Sequence, residues 1–364
     1  MKKILIGYLI DGKKSGIDKY LLNVIDVIRK YDVEIDCLTN KNEAELKKRL
    51  DNMGVGLINI PTLKHPIKQY KEMIRITSQN NYDVAYFNIS EAFNCIGILA
   101  AKKNNVDKVI VHSHSSGVDS NKKYVRIIRN CIHNIAKKII VNKADVLCAC
   151  SDTAAMWMFS KTDSISIINN AVDLKKFKFD KINREIKRRE LGIENRIVVG
   201  HVGAFSYQKN SEFLVDLAFE LKKINANYVI LSIGDGTDLE KVKCKAVKYN
   251  VEDNIIFLGV RSDVDQLLSA MDVFVLPSRF EGLPIAAIEA QAVGLPIVMS
   301  DTISRKSQMV SNCKFLSIKN SASDWANIID KYSKMGKEKL NQNMIEKYDL
   351  SIQKKQILDI FQIK

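Results

Sequence analysis

No run of about 18 apolar residues occurs in this 364-residue chain, so the sequence offers no helix suited to crossing a bilayer. Seven cysteines, at 37, 95, 131, 148, 150, 244 and 313, include no Cys-x-x-Cys; their odd number among apolar neighbours reads as reduced, buried thiols in a cytoplasmic chain. Cys148-Ala-Cys150 has no His or further Cys at ligand spacing and is expected to pack as strand. Gly-x-Gly-x-x-Gly is missing from both first strand-to-helix turns, which excludes the dinucleotide fingerprint. Aromatic residues make up only 7% and do not interleave with basic ones, which argues against nucleic acid. The apolar start, Met1 to Ile10, is short, is broken by Asp11 and has no small-residue cleavage site, so it reads as a buried strand and not a signal peptide.

What is present is an ordinary globular composition, 46% hydrophobic and 27% charged, with 56 basic against 42 acidic residues and a net charge of +14. The excess implies acidic partners such as phosphorylated substrates or anionic lipid. The length favours two domains. Apolar runs at Ile4–Ile10, Val33–Leu38, Val55–Ile60, Val84–Ile89, Val109–Val111 and Val146–Cys150 alternate with amphipathic stretches. The pattern restarts at Ile197–Val202, Tyr228–Ile233, Ile255–Leu258, Val273–Leu276, Ile297–Met299 and Phe315–Ile318. Repeated βα units predict an α/β fold of two parallel sheets covered by helices. The Lys- and Arg-rich stretch Asp173–Gly192, poor in strand signal, reads as the connection.

Ligands in such sheets bind beyond the carboxyl ends of the strands. After Asp272-Val-Phe-Val-Leu-Pro277 comes Arg279-Phe-Glu-Gly-Leu-Pro284, then an apolar helix closed by Gly294-Leu-Pro296. Pro284 suits the first helical position, which leaves Glu281 in the loop and Glu289 in the helix. Eight helical residues span about 12 Å, a reach longer than one sugar or base. Lys209 follows another strand end, near the start of a helix at Phe213, where an anion would resolve its conflict with the helix dipole; taken alone, it reads first as a solvent-exposed lysine. Gly234-Asp-Gly236 reads as turn chemistry. Gly16, after the first strand, could bring backbone close to phosphate. His112 and His114 end the fifth strand without further ligands at metal spacing, and His114 is open to both a cleft-facing and a structural reading. Asp263-Val-Asp265 has the form of an Asp-x-Asp metal motif, but its place before Val264–Ala270 reads as capping.

Glu281 and Glu289 with seven residues between them resemble the Glu-x7-Glu motif of the retaining glycosyltransferases of family 4. Gly200-His-Val-Gly-Ala-Phe-Ser-Tyr-Gln-Lys-Asn210, Pro277-Ser-Arg-Phe-Glu-Gly-Leu-Pro284, Glu289-Ala-Gln-Ala-Val-Gly-Leu-Pro296, Ala149-Cys-Ser151 and Val111-His-Ser-His114 resemble its bacterial capsular and extracellular polysaccharide branch. The likeness covers nearly the whole chain and is densest from Ala149 to Ser300. It implies a GT-B fold of two facing Rossmann-like domains: 1–170 for the acceptor, 171–195 as connection, 196–348 for the nucleotide-sugar, and 349–364 as a helix returning to the first domain. It further implies that Glu289 grips the ribose and Glu281 contacts the donor sugar. Gly282, Leu283 and the helix start would face the diphosphate with Lys209 and no metal, His114 would approach the sugar, Gly16 would lie near the diphosphate and Arg261 near the base. No cofactor is implied beyond the donor, expected to be a UDP-sugar, and the acceptor is expected to be a lipid-linked saccharide. Two departures stand out. Ala204 replaces an Arg common in the family, and Ser15-Gly16 replaces paired glycines. A nucleotide-sugar epimerase of the same fold and a non-catalytic partner subunit are the alternatives; the presence of both acids weighs against the second.

Lys122–Lys143 holds eight basic or histidine side chains and no acid. At 100° per residue Lys122, Arg126, Arg129, His133 and Lys137 form one stripe, and Ile128, Cys131, Ile132, Ile135 and Ile139 the opposite one. The expectation is that the isoleucines pack on the first sheet and the basic stripe faces outward, solvated or resting on an anionic membrane at the inner face of the cell membrane.

Overall fold

A strand covered on both faces has no solvated side to mark with alternating polar residues, so its sequence is a nearly unbroken apolar run. Val84–Ile89, Tyr228–Ile233, Val273–Leu276 and Ile297–Ser300 are such runs, and in each strand every residue is buried. In the computed structural model, which describes residues 1–9, 16–41, 43–338, 340 and 346–363, the chain forms two units. One comprises 1–118, 122–170 and 351–364; the other comprises 119–121 and 171–350.

The first unit runs β1 (Lys2–Leu9), α1 (Gly16–Ile28), β2 (Val33–Thr39), α2 (Ala44–Asp51), β3 (Gly56–Asn59), α3 (Pro66–Gln79), β4 (Val84–Ile89) and α4 (Ile96–Lys103). It continues with β5 (Lys108–Ser113), α5 (Lys123–Lys143), β6 (Val146–Ala149), α6 (Asp152–Phe159) and β7 (Ser166–Ile167). These strands are all parallel, in the order β3-β2-β1-β4-β5-β6-β7. The second unit runs α7 (Lys181–Glu190), β8 (Ile197–Val202), α8 (Phe213–Ile224), β9 (Tyr228–Ile233), α9 (Leu239–Lys248), β10 (Ile255–Phe257) and α10 (Val264–Ala270). β11 (Val273–Leu276), α11 (Ile285–Ala292), β12 (Ile297–Ser300), β13 (Cys313–Leu316) and α12 (Ala322–Ser333) complete it. Its parallel sheet has the order β10-β9-β8-β11-β12-β13. Both are doubly wound, with the strand order reversing once.

The last helix, α13 (Leu350–Phe361), belongs to the first unit from Ser351 on. Its Ile357, Ile360 and Phe361 enter the core formed by α1, β1 and β2. Burial of each contributes about 2 kcal/mol. Its last carbonyls lack helical partners and receive lysine ammonium groups instead: Lys108 Nζ donates to Ile360 O at 2.8 Å and Lys2 Nζ to Phe361 O at 2.9 Å.

The stretch 171–195, read from sequence as a connection, contains α7, which packs against α10 inside the second unit. Arg184 and Arg188 both pair with Asp272 and donate to carbonyls at the end of α10. The abundant Lys and Arg that made the stretch look like a linker are thus partly structural. Cys37, Cys95, Cys148 and Cys150 are buried as expected, whereas Cys131 and Cys244 are exposed.

Candidate active site

In the second sheet the order reverses between β8 and β11, so the loops that leave these strands at Gly203 and Pro277 border the crevice of this unit. Glu281 lies in the loop after β11 and Glu289 in α11, and both carboxylates are buried, at 4% and 5% exposure. α11 begins at Ile285, with Pro284 as its N-cap and not its first helical residue. The fixed φ of proline suits that place, and Pro284 O accepts from Ala287 N–H at 3.1 Å. Gly294 ends the helix at φ +81, with Glu338 O only 2.3 Å from where a Cβ would stand, so no side chain fits there.

The loop after β8 reaches across to Glu281. Lys209 Nζ pairs with Glu281 Oε1 at 2.6 Å, and Gln208 Nε2 donates to Oε2 at 3.2 Å. Arg279 ties the two loops together: its N–H donates to Gln208 O at 2.8 Å, its guanidinium to Tyr207 O at 2.6 Å, and it stacks over the Tyr207 ring. Lys209 is therefore part of a built carboxylate cluster and not a surface lysine. Gly234 and Gly236 serve the packing of this loop, because a Cβ at either would meet the backbone of Gly203 or Phe205 at 2.0 and 2.4 Å.

His201, in the quoted motif but given no role in the sequence reading, lies against the same loop. Its Nδ1–H donates to Val275 O at 3.2 Å, which leaves Nε2 as a buried acceptor with no partner among the described residues. Burial holds its pKa down at about 4, so the ring is neutral. A Cβ on Gly203 would stand 3.3 Å from both His201 Nε2 and Lys209 Cδ, so glycine allows the histidine and the lysine to approach. Its position at a strand end next to the reversal was the available signal. Gln208 and Arg279 carried no signal without the contact between their loops.

Arg261 follows β10 and holds Asp263 through two bonds, Nε at 2.8 Å and Nη2 at 2.7 Å. Lys187 joins Asp263 at 3.0 Å, and these cations hold its carboxyl well below the ordinary range. Asp263 stands at the cap of α10, but its side chain accepts no capping bond, so cation pairing and not capping explains the acid. Asp265 lies 3.5 Å from Lys176. Among the described residues no group of three or more His, Cys, Asp or Glu could hold a metal ion.

In the first unit the order reverses between β1 and β4. Gly16 is the first residue of α1, followed by the fully buried Asp18 in the first turn; Asp11 to Ser15 of the expected glycine loop lie outside the described residues. His114 stacks on His112 with ring centres 4.2 Å apart, and its Nε2–H donates to Asn88 Oδ1 at 2.7 Å. Burial pulls its pKa down to about 3, so the imidazole is neutral and Nδ1 is its acceptor side. His112 continues inward to Tyr86 Oη at 2.6 Å, and Tyr86 to Tyr20 at 2.8 Å. Beside Asn88 lies a cavity of about 150 Å³ lined by Asn40, Gln69, Ser90 and Asn94 among others. Amide-rich walls suit hydroxyl groups, which both donate and accept. Asn88 lies at the end of β4 and Ser90 just past it, and the strand-end rule applied to that strand could have found them.

Of the basic stripe expected on the outside of α5, Arg129 and His133 face the protein, whereas Lys122 is exposed. Arg129 pairs with Glu91 and lies over the Phe93 ring, while His133 accepts from Ala92 N–H at 3.0 Å and stacks on Trp157. His133 is fully buried, and Ile128, Ile132 and Ile135 are exposed. The polar groups around Ala92 and Trp157 needed partners, and only the arginine and histidine face could supply them.

Known proteins match this arrangement. Residues 6–151 match the family model described as glycosyl transferase 4-like, and residues 183–349 that of glycosyl transferases group 1. The capsular polysaccharide biosynthesis glycosyltransferase CapH of Staphylococcus aureus is 27% identical, over 94% of this chain and 95% of CapH. The Escherichia coli UDP-Gal:alpha-D-GlcNAc-diphosphoundecaprenol alpha-1,3-galactosyltransferase is 28% identical, over 79% of this chain and 76% of its own. The crystal structure of Anabaena HepE in complex with UDP-glucose superposes with a TM-score of 0.80 at 17% identity, covering both chains completely.

Proposed function

Because this chain is a glycosyltransferase with the GT-B fold, we propose that it moves a sugar from a UDP-sugar to a lipid-linked saccharide in capsular or extracellular polysaccharide assembly, with retention and without a metal. The observation that carries this reading is the pair of buried carboxylates, Glu281 and Glu289, on either side of the α11 start, with Glu281 paired to Lys209. Two relatives named for polysaccharide or lipid-linked acceptors, similar over most of their length, support the acceptor class.

In this reading Glu289 accepts hydrogen bonds from the ribose hydroxyls and Glu281 from a donor-sugar hydroxyl, both charge-assisted. The N–H groups of Gly282, Leu283 and the α11 start, with the positive end of the helix dipole, face the diphosphate. Lys209 is neutralised by Glu281 in the structure. An arriving diphosphate draws its ammonium from carboxylate to phosphate, which stabilises the leaving group and turns Glu281 toward the sugar. Ala204 offers no second cation there. Arg261, with Asp263 fixed beside it, presents a planar edge for the base, and in the first unit the neutral His114 offers Nδ1 as an acceptor for a hydroxyl.

The test is a screen of UDP-sugars by thermal shift, followed by transfer to a lipid-diphosphate saccharide with the product anomer read by NMR. The retained anomer with turnover intact in excess EDTA is expected. An inverted product, or EDTA-sensitive turnover restored by Mn²⁺, overturns this reading.

A further inference from the structure

The longest described helix carries its apolar residues on the outside. On α5, Tyr124, Ile127, Ile128, Ile132 and Ile135 are 59%, 54%, 56%, 46% and 70% exposed. At 100° per residue they fall in one arc of about 140°, with the exposed Cys131 inside it. Lys123, Lys138 and Lys143 are exposed along the helix, and no carboxylate occurs from Lys122 to Lys143. The opposite face is already committed, through Arg129 to Glu91 and His133 to Ala92 and Trp157.

A continuous isoleucine stripe left in water is costly, and it marks a surface with an occupant. The charge pattern selects among occupants. In an isologous contact between two copies, two such helices would bring lysines against lysines with no acid on either to offset them. Crossing a bilayer is excluded for a 21-residue helix with six lysines and arginines, and none of the described helices is apolar enough to span. An apolar stripe flanked by cations without acids fits the boundary between headgroups and acyl chains. There isoleucines leave water while lysine stems extend to anionic phosphates, and a tyrosine suits the interface.

We propose that α5 lies on an anionic bilayer with its Tyr124-to-Ile135 face inserted, so that the isoleucines, and not a basic stripe, make the contact. This goes beyond the transfer reaction, and its test reads binding without turnover, so either reading can fail alone. The full chain is centrifuged with vesicles of phosphatidylcholine alone or with an equal part of phosphatidylglycerol. Sedimentation with the anionic vesicles, partly retained in high salt, is expected. Ile128→Ser/Ile132→Ser/Ile135→Ser should lower the partition coefficient by at least about tenfold, because three apolar side chains leave the contact. An unchanged melting temperature checks that this variant is folded, since all three positions are exposed. On a Cys244→Ser background, a polarity-sensitive fluorophore on Cys131 should shift to the blue with anionic vesicles. The proposal is overturned if the wild type stays in the supernatant at low salt, or if the triple variant sediments equally well. It also fails if binding occurs without the spectral shift, which would mean contact by charge alone, or if the wild type is a dimer that the triple variant dissolves, which would assign the face to a second copy.

Discussion

Lys209 Nζ and Glu281 Oε1 lie 2.6 Å apart, joining the loops after β8 and β11 across the point where the strand order reverses. The carboxylate is 5% exposed and the ammonium 17%, so water does little to screen the pair. Removing one partner leaves a charge in a poor solvent. Lys209→Met should therefore lower stability by about 2–4 kcal/mol, and adding Glu281→Gln should restore much of it. Denaturant titration of both variants checks this, and a double variant no more stable than Lys209→Met would refute the coupling.

The division of labour between the two acids is separable by measurement. Glu289→Ala should weaken UDP binding by about 1.5–3 kcal/mol through lost charge-assisted hydrogen bonds. Glu281→Gln should lower turnover more than UDP affinity. Calorimetric titration with UDP beside initial rates decides it, and equal effects on both quantities in both variants count against the assignment.

Asp263 should behave as a structural anion. Its carboxyl is held below the ordinary 3.8 by Arg261 first and then Lys187. A depressed folded-state pKa gives stability that is present above the unfolded value and is lost as pH falls below it. Asp263→Asn should cost about 1 kcal/mol at neutral pH, with the difference from wild type shrinking below about pH 4. Asp263→Asn should leave the response of turnover to EDTA and Mn²⁺ the same as in wild type; a changed Mn²⁺ response would revive the metal role of Asp263-Val-Asp265.

The buried histidines weaken the fold toward acid in the same sense, over a higher pH range. His114 is pulled from 6.5 to about 3 and His201 from 6.5 to about 4, each mainly by burial. Between those values and 6.5 the unfolded chain binds more protons, so stability falls as pH drops, by up to about 1.4 kcal/mol per pH unit for each histidine. His114→Asn should flatten the stability profile between about pH 6 and 4. Melting curves across that range check it, and a variant profile parallel to wild type would mean that His114 is not held neutral.

Much of the fold was legible because local pattern carries it. Val84–Ile89, Ile197–Val202, Tyr228–Ile233 and Val273–Leu276 are strands with the bounds that their apolar runs predict. Pro284 and Gly294 bracket α11 because φ restriction at one end and left-handed geometry at the other are properties of single residues. Placing Glu281 in a loop and Glu289 in a helix needed no more than that.

The pairing of Lys209 with Glu281, 72 positions apart, was not legible, nor was the neighbourhood of His201. Both follow from strand order, and nothing local states that β8 lies beside β11. Asp263 shows the same limit: its place before a helix suggested a cap, and Lys187 from another helix took the carboxylate instead. α5 marks the boundary most plainly. Its periodicity determined that one face is apolar and the other basic, but a period is symmetric with respect to inside and outside. Glu91, Ala92 and Trp157, contributed by other segments, offered partners that only Arg129 and His133 could answer. Satisfying buried polar groups outweighed hiding isoleucines, so the tertiary structure turned the helix over.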